Sequence, residues 1–360
     1  MRRSGTVLAC LLVVAGLAWM PTSSPIDDAT LEPAPALAGG RHRGISFAQG
    51  GGRRGSFTGY GSDASAESLG LLAALGVNWI SVMPYAYQAT PQDTEIRWGA
   101  RRDGSDPDER LRQVTRQAHD LGINVMMKPH VWLRPPDWVG LIAHESDANW
   151  ARWFASYRAL ILHYARLAAD AGIDALCIGN ELDKTTSREA EWRSLIAEIR
   201  DIYGGALTYG AGFEGVYDVP FWDAVDFIGL SAYFKLVDGA SPDRASLVAA
   251  WRPTVGRLAA LSQRWHRPIV FTELGYRSAS HATQHPWFVD RDAVVDLELQ
   301  VAAYEAFFEA VWPQPWFGGV YWWKWFSRPD HGGPDDNDYS PRGKPAEAVL
   351  RRHFATDASS

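Results

Sequence analysis

The chain is short of cysteine, of basic charge and of long apolar runs, and each shortage removes a class of explanation. Cys10 and Cys177 are the only cysteines in 360 residues. Once the leader described next is removed, Cys177 has no partner within the chain, so stability has to come from a packed core rather than a disulfide framework. Acidic side chains outnumber basic ones by 42 to 35, a net charge of −7, which argues against a mainly electrostatic nucleic-acid binder. The apolar stretch from Val7 to Met20, behind Arg2 and Arg3, is too short to span a bilayer comfortably and has the form of a secretory signal. The expectation is a secreted or cell-surface protein, with residues 1–20 a signal peptide or N-terminal anchor. Residues 21–43 read as a Pro/Ala/Ser-rich linker, 44–354 as one catalytic domain and 355–360 as a tail. Ala36-Leu37-Ala38, before Gly39, is one candidate cleavage site. Cys10 follows Val-Leu-Ala and faintly resembles a lipobox, but it sits very early in the apolar run.

Aromatics are abundant: 17 Trp, 13 Tyr and 14 Phe exceed what a core needs, and flat rings in a cleft suit flat apolar faces, sugars among them. Three segments share one pattern. In LGVNWISV (Leu75 to Val82), LGINVMMK (Leu121 to Lys128) and AGIDALCI (Ala171 to Ile178), a helix ends at Gly, an apolar residue follows, then Asn or Asp, then a strand-like run. Glycine tolerates the left-handed conformation after a last helical turn, and the next apolar residue packs back on the helix. A strand recurring after each helix signals parallel strands with helical crossovers.

Ile45 to Gln49 reads as a first strand, Leu207 to Phe213 as a fifth, Val225 to Phe234 as a sixth, Pro268 to Tyr276 as a seventh and Gly319 to Phe326 as an eighth. Core-facing helical spacing links Trp150, Trp153, Phe154, Tyr157, Leu160, Ile161, Tyr164 and Leu167, and again Trp192, Leu195, Ile196, Ile199, Ile202 and Tyr203. The second helix is expected to start at a capping box, Thr186 to Glu189, and to stop at Gly204-Gly205. Eight strand–helix pairs in about 250 residues or somewhat more is the count for a single-domain (β/α)8 TIM barrel. The alternative is an open doubly wound sheet, which would place a phosphate loop after the first strand. Here that strand leads into QGGGRRGSFTGYG, whose glycines lack the required spacing.

In such a barrel the chemistry sits at the C-terminal strand ends. The third strand ends in Lys128, His130 and Trp132, the fourth in Asn180 and Glu181, the sixth in Tyr233 and Lys235, the seventh in Glu273 and Tyr276, the eighth in Trp322, Trp323, Lys324 and Trp325. Either Glu alone reads most simply as a salt-bridge or helix-terminus partner. Together, on opposite parts of one ring, they form the pair that glycoside hydrolysis needs: one carboxyl protonated to assist the leaving oxygen, one ionised to attack or to stabilise the sugar's developing positive charge. A separation of about 5–5.5 Å would mean retention through a covalent intermediate.

Other signals weigh less. GAGFEG, Gly210 to Gly215, matches a dinucleotide fingerprint but leads into VYDVPFW rather than a helix; Glu214 within it could still reach the cleft as a substrate contact or spare carboxylate. DHGGPDDNDYSP, Asp330 to Pro341, lacks EF-hand spacing, and the nearby His281 and His285 lack a further metal ligand. There is no Gly-x-Ser-x-Gly elbow.

Asn-Glu after the fourth strand and Glu after the seventh resemble clan A of the retaining glycoside hydrolases. More narrowly, MKPHVW, the WFASYRALILHYA helix, IGNEL, LTYGA, FWDAVDFIGLSAYF, FTELGY, PWFGGVYWWKWF and DNDYSPRGKPAEAVL resemble glycoside hydrolase family 113, from about Gly44 to Phe354. The resemblance implies a retaining endo-β-1,4-mannanase without cofactor, metal or obligate protein partner, acting on a polysaccharide or oligosaccharide. It casts Glu181 as acid/base, Glu273 as nucleophile and Asn180 as the amide that orients the neighbouring sugar hydroxyl. Tyr233 would approach the nucleophile, Lys128, His130 and Trp132 would line the glycone side, and Trp323 or Trp325 would floor the reacting subsite. Strand alternation puts the last two on one face and Trp322 on the other. A different β-glycan (glucan, xylan or galactan) and a catalytically silent carbohydrate-binding barrel stay open as alternatives.

Overall fold

The structure, a computed structural model, describes residues 34–37, 40–50, 58–99, 107–237 and 242–357; the expected signal and the Cys10 motif lie outside them. Ten strands are described: β1 (His42–Ala48), β2 (Trp79–Val82), β3 (Tyr85–Tyr87), β4 (Asn124–Met127), β5 (His130–Trp132), β6 (Ala175–Asn180), β7 (Ala206–Gly212), β8 (Phe227–Ser231), β9 (Ile269–Leu274) and β10 (Phe317–Phe326). Eight of them close into a parallel barrel in the order β1-β10-β9-β8-β7-β6-β4-β2. This is the expected TIM barrel. The other two, β3 and β5, pair parallel in a small sheet above the rim that the sequence reading did not anticipate.

The helices are α1 (Asp63–Ala74), α2 (Pro107–His119), α3 (Asp147–Ala171), α4 (Glu189–Ile202), α5 (Arg244–Trp265), α6 (Leu297–Ala310) and α7 (Pro345–Asp357). The three repeated Gly residues do end helices: Gly76, Gly122 and Gly172 have φ of 84°, 71° and 67°, where a side chain would be strained. The expected rhythm of eight pairs fails once among the described residues. Between β7 and β8 the chain makes only 3-10 turns at Gly215–Tyr217 and Trp222–Ala224. There Val216, Phe221 and Trp222 are fully buried and cover the barrel wall in place of a helix. The same absence removes any helix N-terminus after Gly210 to Gly215.

Two local expectations need correction. The capping box at Thr186 to Glu189 does not form. Thr186 sits instead inside a 3-10 turn, Asp183–Ser187, with its hydroxyl donating to the Asp183 carbonyl, and α4 starts from Arg188 without a side-chain cap. The domain edges also move, since β1 begins at His42, inside the stretch read as linker, and α7 runs to Asp357, inside the stretch read as tail.

Inside the barrel, a cluster of Trp79, Met126, Ala175, Cys177, Phe227, Val270 and Tyr321 fills the end where the strands start. Leu37 packs against it from below, lying so close to Gly318 that a β-carbon there would be 2.7 Å from Leu37 Cδ1. The opposite end, where the strands finish, is left for the polar residues.

Candidate active site

Strand alternation brings Ala175 and Cys177 inward, and a simple continuation would point Gly179 inward too. The register against β7 slips between Cys177 and Asn180, a bulge that reverses the sides. Gly179 therefore faces the helix layer, where a β-carbon would lie 2.8 Å from the Tyr209 ring and 2.9 Å from Trp192. It makes room for those rings, not for the barrel interior. Asn180 turns toward the barrel axis, with its Oδ1 close to the α-carbon side of Gly210 and without a protein donor. Glu181 follows at φ 51°, a left-handed conformation costing about 1–2 kcal/mol for a non-glycine residue, held by its N–H donating to the Gly210 carbonyl at 2.7 Å.

Two cavities of about 590 and 1080 Å³ meet at four residues: Trp138, Glu181, Glu273 and Trp323 line both. The two carboxylates thus stand at a waist between two indoles, with open space on either side. Beyond the waist, the smaller cavity is lined by Tyr85, Tyr87, His130, Trp132 and Asn180. The larger is lined by Asp183, Phe213, Glu214, Tyr233, Trp287 and Lys324, among others. Glu214 does reach the cleft, and the loop from Asp330 to Pro341 contributes Asn337, Asp338 and Tyr339 to its wall.

The two carboxyls live in opposite surroundings. Glu181 is pushed above the usual carboxylate range by burial and by the negative charge of Glu273, against the pull of a hydrogen bond from Trp138 Nε1 to its Oε2 at 2.9 Å. Burial also pushes Glu273 up, but the Lys128 ammonium, His130 and the Tyr233 hydroxyl together bring it below the usual range. Lys128 Nζ donates to Glu273 Oε1 at 2.6 Å and to the Thr272 carbonyl at 3.2 Å, and Tyr233 Oη donates to Glu273 Oε2 at 3.0 Å. His130 Nε2 stands 3.7 Å from Oε1. Burial lowers the His130 imidazole to about 4, so it is neutral near pH 7. One carboxyl biased toward its protonated form faces another held ionised, the division of labour that acid-assisted displacement at a sugar carbon requires.

Of the nine residues named from the sequence, seven line this cleft: Glu181, Glu273, Asn180, His130, Trp132, Tyr233 and Trp323. Lys128 does not line the glycone side. It is fully buried and supports Glu273 from behind. Trp325 is also misplaced: the register between β1 and β10 skips Lys324, pairing Ser46 with Trp323 and Phe47 with Trp325. That skip sends Trp325 outward, where its Nε1 donates to Ser68 Oγ on α1 at 2.9 Å. Trp322 faces the helices as expected, stacked on Tyr304 of α6. The sequence reading missed Trp138, Tyr85, Tyr87, Phe213 and Trp287. Tyr85-Ala-Tyr87, with alternate rings just past the second barrel strand, carried a readable strand-tip signal; Trp138 and Trp287 lie in irregular loops and carried none.

The sequence profile of glycoside hydrolase family 113 matches residues 46–344. The chain belongs to that family. Among solved structures, the GH113 β-mannanase AaManA from Alicyclobacillus acidocaldarius, in complex with ManMIm, is 32% identical with a TM-score of 0.77, covering 88% of this chain and 98% of that one. A GH113 β-1,4-mannanase solved as a complex is 27% identical, with TM-score 0.77 and coverage of 88% and 99%. A β-glucuronidase from Faecalibacterium prausnitzii, 13% identical with TM-score 0.57 over 88% of this chain and 49% of that one, shares the fold alone. No curated protein sequence matches the chain. This family 113 protein is a glycoside hydrolase, and its paired carboxylates are the groups in the cleft fitted to that chemistry.

Proposed function

We propose that this family 113 hydrolase is an endo-β-1,4-mannanase working with retention, with Glu273 as nucleophile and Glu181 as acid/base. The observation that carries the reading is the pair of oppositely biased carboxyls at the waist of a cleft open on both sides. A Glu273 oxygen attacks the anomeric carbon as the bond to the leaving oxygen breaks, and Glu181 delivers its proton to that oxygen. Water then attacks the same carbon, Glu181 takes the water's proton, and the Glu273 ester bond breaks. Asn180, inward-facing and without a protein donor on Oδ1, orients the adjacent sugar hydroxyl, while Trp323 offers an apolar floor.

Space on both sides of the waist favours cleavage within a chain over release of terminal sugars. The mannan assignment draws on the similar GH113 β-mannanases. The N-terminal apolar stretch adds export to a secreted or cell-surface location.

Incubation with mannan, glucomannan, cellulose, xylan and galactan, followed by product sizing, tests the substrate. Expected is depolymerisation of mannan, and of glucomannan at its mannosyl linkages, to mixed oligosaccharides. Cleavage of another glycan alone would move the specificity, and no cleavage at all would favour a binding protein. Proton NMR of the first products should show the β-anomer. Glu273→Ala should lose at least about 10⁴-fold in turnover of an aryl β-mannobioside; near wild-type activity would overturn the nucleophile assignment.

A further inference from the structure

The indole of Trp138 reaches into the waist from outside the barrel strands, and its reach is built in. The residue stands just before the 3-10 turn Val139–Leu141, which packs against the turn Asp183–Ser187 that follows Glu181. Its ring lies over Gly140 so closely that a β-carbon there would be 2.3 to 2.5 Å from three carbons of the six-membered ring. Only glycine at 140 allows the indole this seat. From it, Nε1 meets Glu181 Oε2 at 2.9 Å.

An indole N–H donates and cannot accept. In a protonated carboxyl the carbonyl oxygen is a much better acceptor than the hydroxyl oxygen, so a donor held against Oε2 favours the proton on Oε1. A carboxylic acid with two equivalent oxygens presents its proton in either of two directions, only one of which meets the leaving oxygen. We infer that Trp138, seated on Gly140, is a positioning residue for Glu181: its N–H occupies one carboxyl oxygen and biases the catalytic proton toward the other. This rests on Glu181 being the acid/base. The titratable groups whose charge acts on that carboxyl include Glu273 on β9, Lys128 after β4 and Tyr233 after β8; the Ser231 hydroxyl of β8 also faces it, and the cavities it lines also hold His130, Asp137, Asp183, Glu214, Arg277, Arg291, Lys324, His331, Asp338 and Tyr339. Lys128 and Tyr233 hydrogen-bond Glu273, whereas Trp138, at 2.9 Å, acts on Glu181 more strongly than the Ser231 hydroxyl does.

The hydrogen bond also favours the ionised form of Glu181, so its removal lets the carboxyl keep its proton to higher pH. The experiment compares pH profiles of kcat/KM for the wild type, Trp138→Phe, Gly140→Ala and Glu181→Ala. Each is assayed on an unactivated manno-oligosaccharide and on a dinitrophenyl β-mannobioside, whose leaving group needs no proton. Trp138→Phe keeps a ring and loses the donor. It is expected to move the alkaline limb up by about half to one pH unit. It should also cost about tenfold on the oligosaccharide and much less on the activated substrate. Gly140→Ala, which touches neither carboxylate, should reproduce the shift by unseating the indole. A folded Trp138→Phe whose limb coincides with that of the wild type, while Glu181→Ala loses the oligosaccharide reaction, overturns the inference and leaves the acid/base reading standing. Full oligosaccharide activity in Glu181→Ala overturns both.

Discussion

Replacing Lys128 with Met separates two jobs that one ammonium performs, stabilising the barrel core and keeping Glu273 ionised. The Lys128 side chain is fully buried, the Glu273 side chain is 7% exposed and the atoms are 2.6 Å apart. At an effective dielectric constant of about 20 the attraction is about 6 kcal/mol. Part of that offsets the cost of burying the ammonium, so removing one partner of such a pair is expected to cost about 3–5 kcal/mol. Glu273 cannot leave its site. It can escape the penalty by taking up a proton, and at about 1.4 kcal/mol per unit this raises its pKa by up to two or three units. Because its folded-state pKa is depressed in the wild type, Glu273 contributes stability above its unfolded pKa and loses it as pH falls through the folded value. The stability gap between Lys128→Met and wild type should therefore be widest near neutrality and narrow in acid. The acid limb of kcat/KM should rise by the same two to three units, with tenfold loss per pH unit below it. Thermal unfolding across pH and pH–rate profiles read the two effects independently. Adding Glu273→Gln should restore part of the lost stability, since no buried charge is then left unpaired. An acid limb and a melting temperature that both match the wild type would refute the account of Lys128.

Other consequences of the site geometry are equally direct. Trp325→Phe removes the bond to Ser68 Oγ and should lower stability by about 1–2 kcal/mol, with kcat/KM and product sizes unchanged; a shifted product pattern would return Trp325 to the cleft. Trp287 is 48% exposed and stacked on Phe213 in the wall of the larger cavity. Trp287→Ala should raise KM for long manno-oligosaccharides by about tenfold, as expected for a lost stacking platform, while sparing the shortest substrates; an equal effect on every chain length would refute that role.

The barrel and its carboxylate pair were legible because each rests on a local rule. Helix-ending glycines announce the strands, and a Glu at the tip of an apolar strand announces the rim. The failures share a cause as well. A period-two rule carries no knowledge of an unpaired residue, so it misdirected Gly179 beyond the slip at Cys177 to Asn180 and Trp325 beyond the skip at Lys324. Lys128 was placed correctly along its strand and given the wrong neighbour, because what a buried cation touches across the barrel depends on the tilt of strands far away in sequence. Trp138 was invisible for a different reason: its loop comes after the third barrel strand and meets Glu181 only once the barrel has closed.

The packing of Leu37 under the barrel bears on where the chain can be trimmed. A peptidase cutting after Ala38 would discard Leu37 together with Pro35 and Ala36, which line the hollow at that end, and would uncork an apolar floor that includes Trp79 and Phe227. If the chain is exported and trimmed, a cut upstream of Pro35 would keep that floor sealed and a cut after Ala38 would open it, so the base of the barrel would itself constrain where trimming is tolerated.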